Sequence, residues 1–177
     1  MVRCFIGYIL PQDIKTKIAE LQKKIETWPL KCKFVEKENL HICFSFLGEI
    51  KEMEIEKISE KINIISRKNR KVEAIINGLI AIPNPNYIRV IALKIVESNS
   101  LKQIFSDIVK EIGGDSKPAH ITLCRVKYVE NKNELRRKIE EENKEHGTLK
   151  IEAIQLIKSE LKRSGPVYSI IHQAELS

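Results

Sequence analysis

Apolar positions recur along this chain with two different periods, one of helices and one of strands. Ile14, Ile18, Leu21, Ile25 and Trp28 follow one another at steps of four and three, a single helix face that Pro29 closes. Ile55, Ile58, Ile62 and Ile65 make a second stripe, which ends in the basic run Arg67-Lys68-Asn69-Arg70-Lys71. Leu101, Ile104, Phe105, Ile108 and Ile112 make a third, with Gly113-Gly114 as its stop. A more polar helix, Glu134 to about Lys144, turns only Leu135 and Ile139 inward. Between these lie strand signals: the opening apolar segment up to Pro11, Leu40–Leu47 before Gly48, Val72–Ile82, Tyr87–Val96, Ala119–Val126, Leu149–Lys158 and Val167–Glu175. Pro83-Asn84-Pro85-Asn86 and the stretch around Arg163-Ser164-Gly165-Pro166 are turn signals. Helices set apart from short strands predict an α+β fold with largely antiparallel sheets, in one domain of two lobes.

Two of the strands echo each other. One carries His41-Ile42-Cys43-Phe44-Ser45-Phe46-Leu47-Gly48 and the other His120-Ile121-Thr122-Leu123-Cys124-Arg125-Val126. Each places a histidine two residues before a hydroxyl or thiol in an otherwise apolar strand. Side chains alternate faces along a strand, so His41 shares a face with Cys43, and His120 with Thr122. The echo predicts two related lobes about a pseudo-twofold axis, with both histidines facing a central cleft.

Two imidazoles across a cleft suit phosphodiester chemistry. One accepts the proton of an attacking water while the other protonates the departing oxygen, and imidazole titrates near neutral pH. Thr122, and more weakly Cys43, can hydrogen-bond phosphate oxygens, and Arg125 can neutralise developing charge. Strict alternation puts Arg125 on the face opposite His120, so reaching the cleft requires a bulge or a strand end there. A histidine in an apolar strand also serves as an ordinary hydrogen-bonded core residue, and His146 and His172, which lack the frame, read that way. A zinc site from His41, Cys43, His120 and Cys124 is the rival assembly, although its spacings match no familiar zinc motif.

Composition adds bounds. The chain has 177 residues, 42% hydrophobic and 31% charged, with a formal charge of +7. No stretch approaches the roughly 20 apolar residues of a membrane helix, and the N-terminal segment lacks a cleavage site, so a cytoplasmic location is expected. Four cysteines without CxxC pairing predict reduced thiols. The basic balance fits a polyanionic partner, but richness in Lys, Glu and Ile equally fits a heat-adapted surface laced with ion pairs.

The two histidine strands also resemble a known family. His41–Gly48, preceded by Glu38-Asn39-Leu40, is similar to the signature His-x-Thr-Leu-x-Phe-Leu-Gly, and His120–Val126 to His-x-Thr-Leu-x-Arg-Val. Arg3-Cys4-Phe5-Ile6-Gly7 resembles the family's opening. Leu156-Ile157-Lys158-Ser159-Glu160-Leu161 with Gly165-Pro166-Val167-Tyr168 resembles its ending. The family is the RNA 2′,3′-cyclic phosphodiesterases, or 2′-5′ RNA ligases, of the two-histidine phosphoesterase superfamily. The resemblance implies a bilobal α+β fold of two antiparallel sheets around a pseudo-twofold cleft, helices outside. It implies hydrolysis of a terminal 2′,3′-cyclic phosphate to a 2′-phosphate without cofactor or metal, and ATP-independent 2′-5′ joining of RNA ends on the same site. His41 then resembles the general acid, His120 the base, and Thr122 and Arg125 the phosphate ligands. The expected partner is RNA with a cyclic phosphate end, tRNA fragments included, acted on by a monomer with no membrane involved.

Cys43 departs from this pattern, since the family has threonine there. A thiol is a poor hydrogen-bond donor, so a weaker phosphate contact is expected on that side. Phe46, Lys158, Arg163 and Tyr168 are candidates for RNA contact, the aromatics by stacking on bases. Lys117, Lys127 and Lys162 also lie near the motifs. A non-catalytic RNA-binding module, or an enzyme of another small cyclic phosphate, are the competing readings.

Overall fold

The apolar opening segment is a strand, β1 (Val2–Ile9), and Pro11 separates it from helix α1 (Gln12–Glu26) in a computed structural model that describes residues 1–177. The order continues with β2 (Leu30–Phe34), β3 (His41–Ile50), α2 (Ile55–Lys68), β4 (Val72–Asn84), β5 (Tyr87–Ile95) and α3 (Asn99–Glu111). It closes with β6 (His120–Val129), α4 (Lys132–Glu141), β7 (Glu145–Ile151), β8 (Ala153–Lys162) and β9 (Gly165–Glu175). Side chains start two of the helices: the Ser98 hydroxyl accepts from Leu101 N–H at 3.2 Å before α3, and Asn131 from Glu134 N–H at 3.0 Å before α4.

The strands form two sheets, ordered β3-β1-β8-β9 and β2-β6-β5-β4-β7. Every pairing is antiparallel, so the α+β expectation holds. Ile14, Ile18 and Ile25 of α1, Ile62 and Ile65 of α2, and Leu101, Ile104, Phe105 and Ile108 of α3 join the inner faces of both sheets in one buried cluster.

Three expectations need correction. Pro29 does close the first helical stripe, but the residues after it, Lys31-Cys32-Lys33-Phe34, add the unforeseen strand β2 along β6. The polar helix spans Lys132–Glu141 and stops short of Lys144, and His146 lies inside β7. The apolar run Leu149–Lys158 is two strands, broken at Glu152, whose carbonyl accepts from Leu176 N–H at 2.8 Å. β7 pairs with β4 in one sheet and β8 with β1 in the other, so the chain crosses between lobes at this residue.

Candidate active site

Both histidine strands carry an extra residue at the same place in their frame. On β3, Ser45 pairs with Ile6 and Cys43 with Gly7, which leaves Phe44 without a partner on β1. On β6, Cys124 pairs with Ile91 and Thr122 with Ala92, which leaves Leu123 without a partner on β5. A bulge of this kind shifts the pleat by one residue. Phe44, Ser45, Leu123 and Cys124 are accordingly all buried. His41, Cys43 and Phe46 line the same cleft as His120, Thr122 and Arg125, a cavity of about 400 Å³ between the sheets. The bulge that Arg125 requires is present.

Each histidine is fixed in one tautomer. His41 Nδ1 lies 2.6 Å from the Asn39 carbonyl and His120 Nδ1 lies 2.7 Å from the Pro118 carbonyl. A carbonyl can only accept, so both Nδ1 atoms carry a proton and both Nε2 atoms are left without a protein partner. The His41 ring is further boxed in by Phe5, with centroids 4.8 Å apart, and by Tyr168, edge-on at 5.3 Å. Asn39 adds a second tie: its side-chain amide donates to the Pro166 carbonyl at 2.8 Å, which holds the β8–β9 turn over the cleft. Gly7 allows this crowding, because a Cβ there would run into the Ile42 carbonyl.

Arg125 is aimed by backbone. The Leu123 carbonyl accepts from Val35 N–H at 2.9 Å and from the Gln22 amide at 3.0 Å, and that same Gln22 nitrogen donates to the Val35 carbonyl at 2.9 Å. Gln22, buried on the inner face of α1, therefore extends the sheet ladder past the end of β2 and secures the bulge. At the other end of the cleft, Phe46 exchanges backbone hydrogen bonds of 2.8 and 2.9 Å with Asp115. Gly114 makes this approach feasible: its φ is +95°, and a Cβ would come within 2.8 Å of the Phe46 carbonyl. The Arg3 guanidinium lies 4.9 Å from the Phe46 ring centroid.

Tyr168 lines the cleft; Lys158 and Arg163 do not, and Lys158 pairs with Glu160 at 3.1 Å. Lys117 lines it and pairs with Asp115 at 3.1 Å, while Lys127 and Lys162 lie outside. His146 Nε2 donates to the Glu142 carbonyl at 2.9 Å, and His172 bonds Asn63 Oδ1 at 2.8 Å, both outside the cleft. Cys124 turns into the core beside Cys32, away from His120, so the two-histidine, two-cysteine set is not assembled.

A family model described as LigT-like phosphoesterase matches residues 9–92. An RNA 2′,3′-cyclic phosphodiesterase of Methanocaldococcus jannaschii is 36% identical over 180 residues, 97% of this chain and 99% of that protein. The chain belongs to the LigT-like phosphoesterase family. An Aquifex aeolicus RNA 2′,3′-cyclic phosphodiesterase is 30% identical and covers 98% of this chain and 96% of its own length. Solved structures agree on the fold of this phosphoesterase. E. coli LigT complexed with 3′-AMP superposes with a TM-score of 0.79 at 20% identity, covering 99% of this chain and 98% of that one. A Thermus thermophilus protein gives 0.77 at 24% identity, covering 98% and 97%.

The electrostatics of the phosphoesterase cleft are lopsided. Burial lowers the His41 pKa below the ordinary imidazole value, and the neighbouring His120 and Arg125 push the same way against the Asn39 hydrogen bond. Burial also pushes the Cys43 thiol up to about 11, with Asp115 adding to it, so this side chain stays neutral. Tyr168 is raised, again first by burial. Gln22 and the positioning role of Asn39 escape a reading from sequence. Gln22 did leave a signal, a polar residue in step with the buried Ile18 and Ile25.

Proposed function

We propose that this phosphoesterase hydrolyses the terminal 2′,3′-cyclic phosphate of RNA to a 2′-phosphate, with His41 and His120 as acid and base. The observation that carries the reading is the pair of Nε2 atoms left open on one cleft, with Thr122 and Arg125 brought to the same face by the β6 bulge. His120 Nε2 takes a proton from water as the water oxygen attacks phosphorus. The P–O3′ bond breaks, and protonated His41 delivers its Nε2 proton to the departing 3′ oxygen. Thr122 and Arg125 hold the non-bridging oxygens as charge builds on them. Each proton transfer contributes about 10²–10⁴ in rate. The names of the M. jannaschii and A. aeolicus relatives support the RNA substrate. A 5′-hydroxyl of a second RNA in place of water would give a 2′-5′ linkage by the same bond changes, without ATP.

The test is turnover of a short RNA ending in 2′,3′-cyclic phosphate, with EDTA present, by wild type, His41→Ala and His120→Ala. A 2′-phosphate product from wild type, reduced at least about 10²-fold in each variant, is expected. Variants that turn over normally, or RNA binding by folded wild type without any turnover, would sink the proposal in favour of a binding module or another cyclic phosphate.

A further inference from the structure

The pseudo-twofold cleft has chemically unlike ends. Phe46 and Arg125 occupy matching positions after the two histidines, one aromatic and one cationic. At the Phe46 end both nearby cations are engaged, Arg3 on the Phe46 ring and Lys117 on Asp115. At the Arg125 end stands Lys33, the cross-strand partner of Arg125 on β2. Lys33 lines the cleft, and it makes none of the salt bridges in the molecule. Its ammonium borders Gly165 of the β8–β9 turn, as does the Glu36 carboxylate. Glu36 is an acceptor, suited to a ribose hydroxyl and not to phosphate, which leaves Lys33 as the cation for an anion at this end.

We propose that the Lys33 end of the cleft binds the phosphodiester immediately upstream of the reacting cyclic phosphate, so that an RNA end is preferred to a cyclic mononucleotide. The inference rests on the activity proposed above. Its logic is the connectivity of a nucleotide. The cyclic phosphate spans C2′ and C3′ and sits between the histidines. The base leaves the ribose at C1′ and the 5′ chain at C4′, on the same face of the ring, away from the cyclic phosphate, but at its two lateral ends. With the base toward Phe46, where both cations are engaged, the 5′ chain and its next phosphate run toward the free ammonium of Lys33.

The experiment compares kcat/KM for 2′,3′-cyclic AMP with that for the dinucleotide ApA carrying a 2′,3′-cyclic end, in wild type and Lys33→Met. Wild type should prefer the dinucleotide, and Lys33→Met should cut that preference about tenfold, the size of one charge-assisted phosphate contact. The slope of log affinity against log salt for the dinucleotide should fall by about 0.7, one single-strand phosphate contact. Equal losses on both substrates, no loss on either, or no wild-type preference would each overturn the inference. Wild type that turns over neither substrate refutes the proposed activity instead. The affinity ratio of ApA 3′-phosphate over 3′-AMP, measured by calorimetry in both proteins, then decides Lys33 by the same criterion.

Discussion

His41 and His120 present the same atom to the cleft from unlike surroundings. His41 packs between Phe5 and Tyr168, and its proton affinity is lowered first by that burial and then by its neighbours His120 and Arg125. As the acid it must be charged, so its lowered proton affinity thins the active form of the free enzyme, and kcat/KM should decline on the alkaline side of its profile. In the complex the phosphate's negative charge offsets Arg125, so the alkaline limb of kcat should lie at higher pH than that of kcat/KM. Rate profiles between acid and mildly alkaline pH check both limbs. A kcat/KM that only rises with pH and has no alkaline limb would reject a protonated imidazole as the acid. Cys43 is the other residue with a private chemistry. Its neutral thiol is a weak donor where the family signature has threonine, so Cys43→Thr should raise kcat/KM about threefold to tenfold, in line with one ordinary hydrogen bond gained. Unchanged or lower activity would reject that role. The two histidines and Thr122 were legible from the spacing of their motifs, whereas the cage around His41 was not, because Phe5 and Tyr168 arrive from distant strands.

Among the elements, the paired bulges matter most, because they convert an alternating strand into one that shows residues i, i+2 and i+5 on one face. Gln22 secures the β6 bulge from α1, and removing its amide leaves the part-buried Val35 carbonyl short of a donor. Gln22→Leu should cost about 1–3 kcal/mol in urea denaturation and lower kcat/KM about tenfold through a misaimed Arg125. In an Arg125→Met background the same change should still cost stability but no further activity. An undiminished additional loss of activity would show that Gln22 acts by another route. The helices and the two histidine strands could be read from periodicity because each has one buried face. β2 could not, being five residues with two lysines at a sheet edge. The split at Glu152 was hidden because Leu149–Lys158 is apolar on both sides of the break, and local pattern does not say which sheet a strand joins.

At the scale of the molecule, the echo between residues 41 and 120 made two lobes and a central cleft legible, and the formal charge of +7 fitted an anionic substrate. The direction built into that cleft was not legible, since the free and the engaged cations differ only in what stands beside them. The two lobes also differ in how far along the chain their parts lie. β4, β5 and β6 are sequence neighbours in one sheet, whereas β1 pairs with β8, and Ile9 is bonded to Gln155 146 residues away. Distant pairings bear the larger loop-closure entropy and tend to form late. The surroundings of His120 can thus assemble early, while the ring of His41, which meets Phe5 as soon as β1 pairs with β3, meets Tyr168 only when β8 slots between β1 and β9. Until then one side of the ring stays open to water, so part of the drop in its proton affinity belongs to the late closing of that sheet.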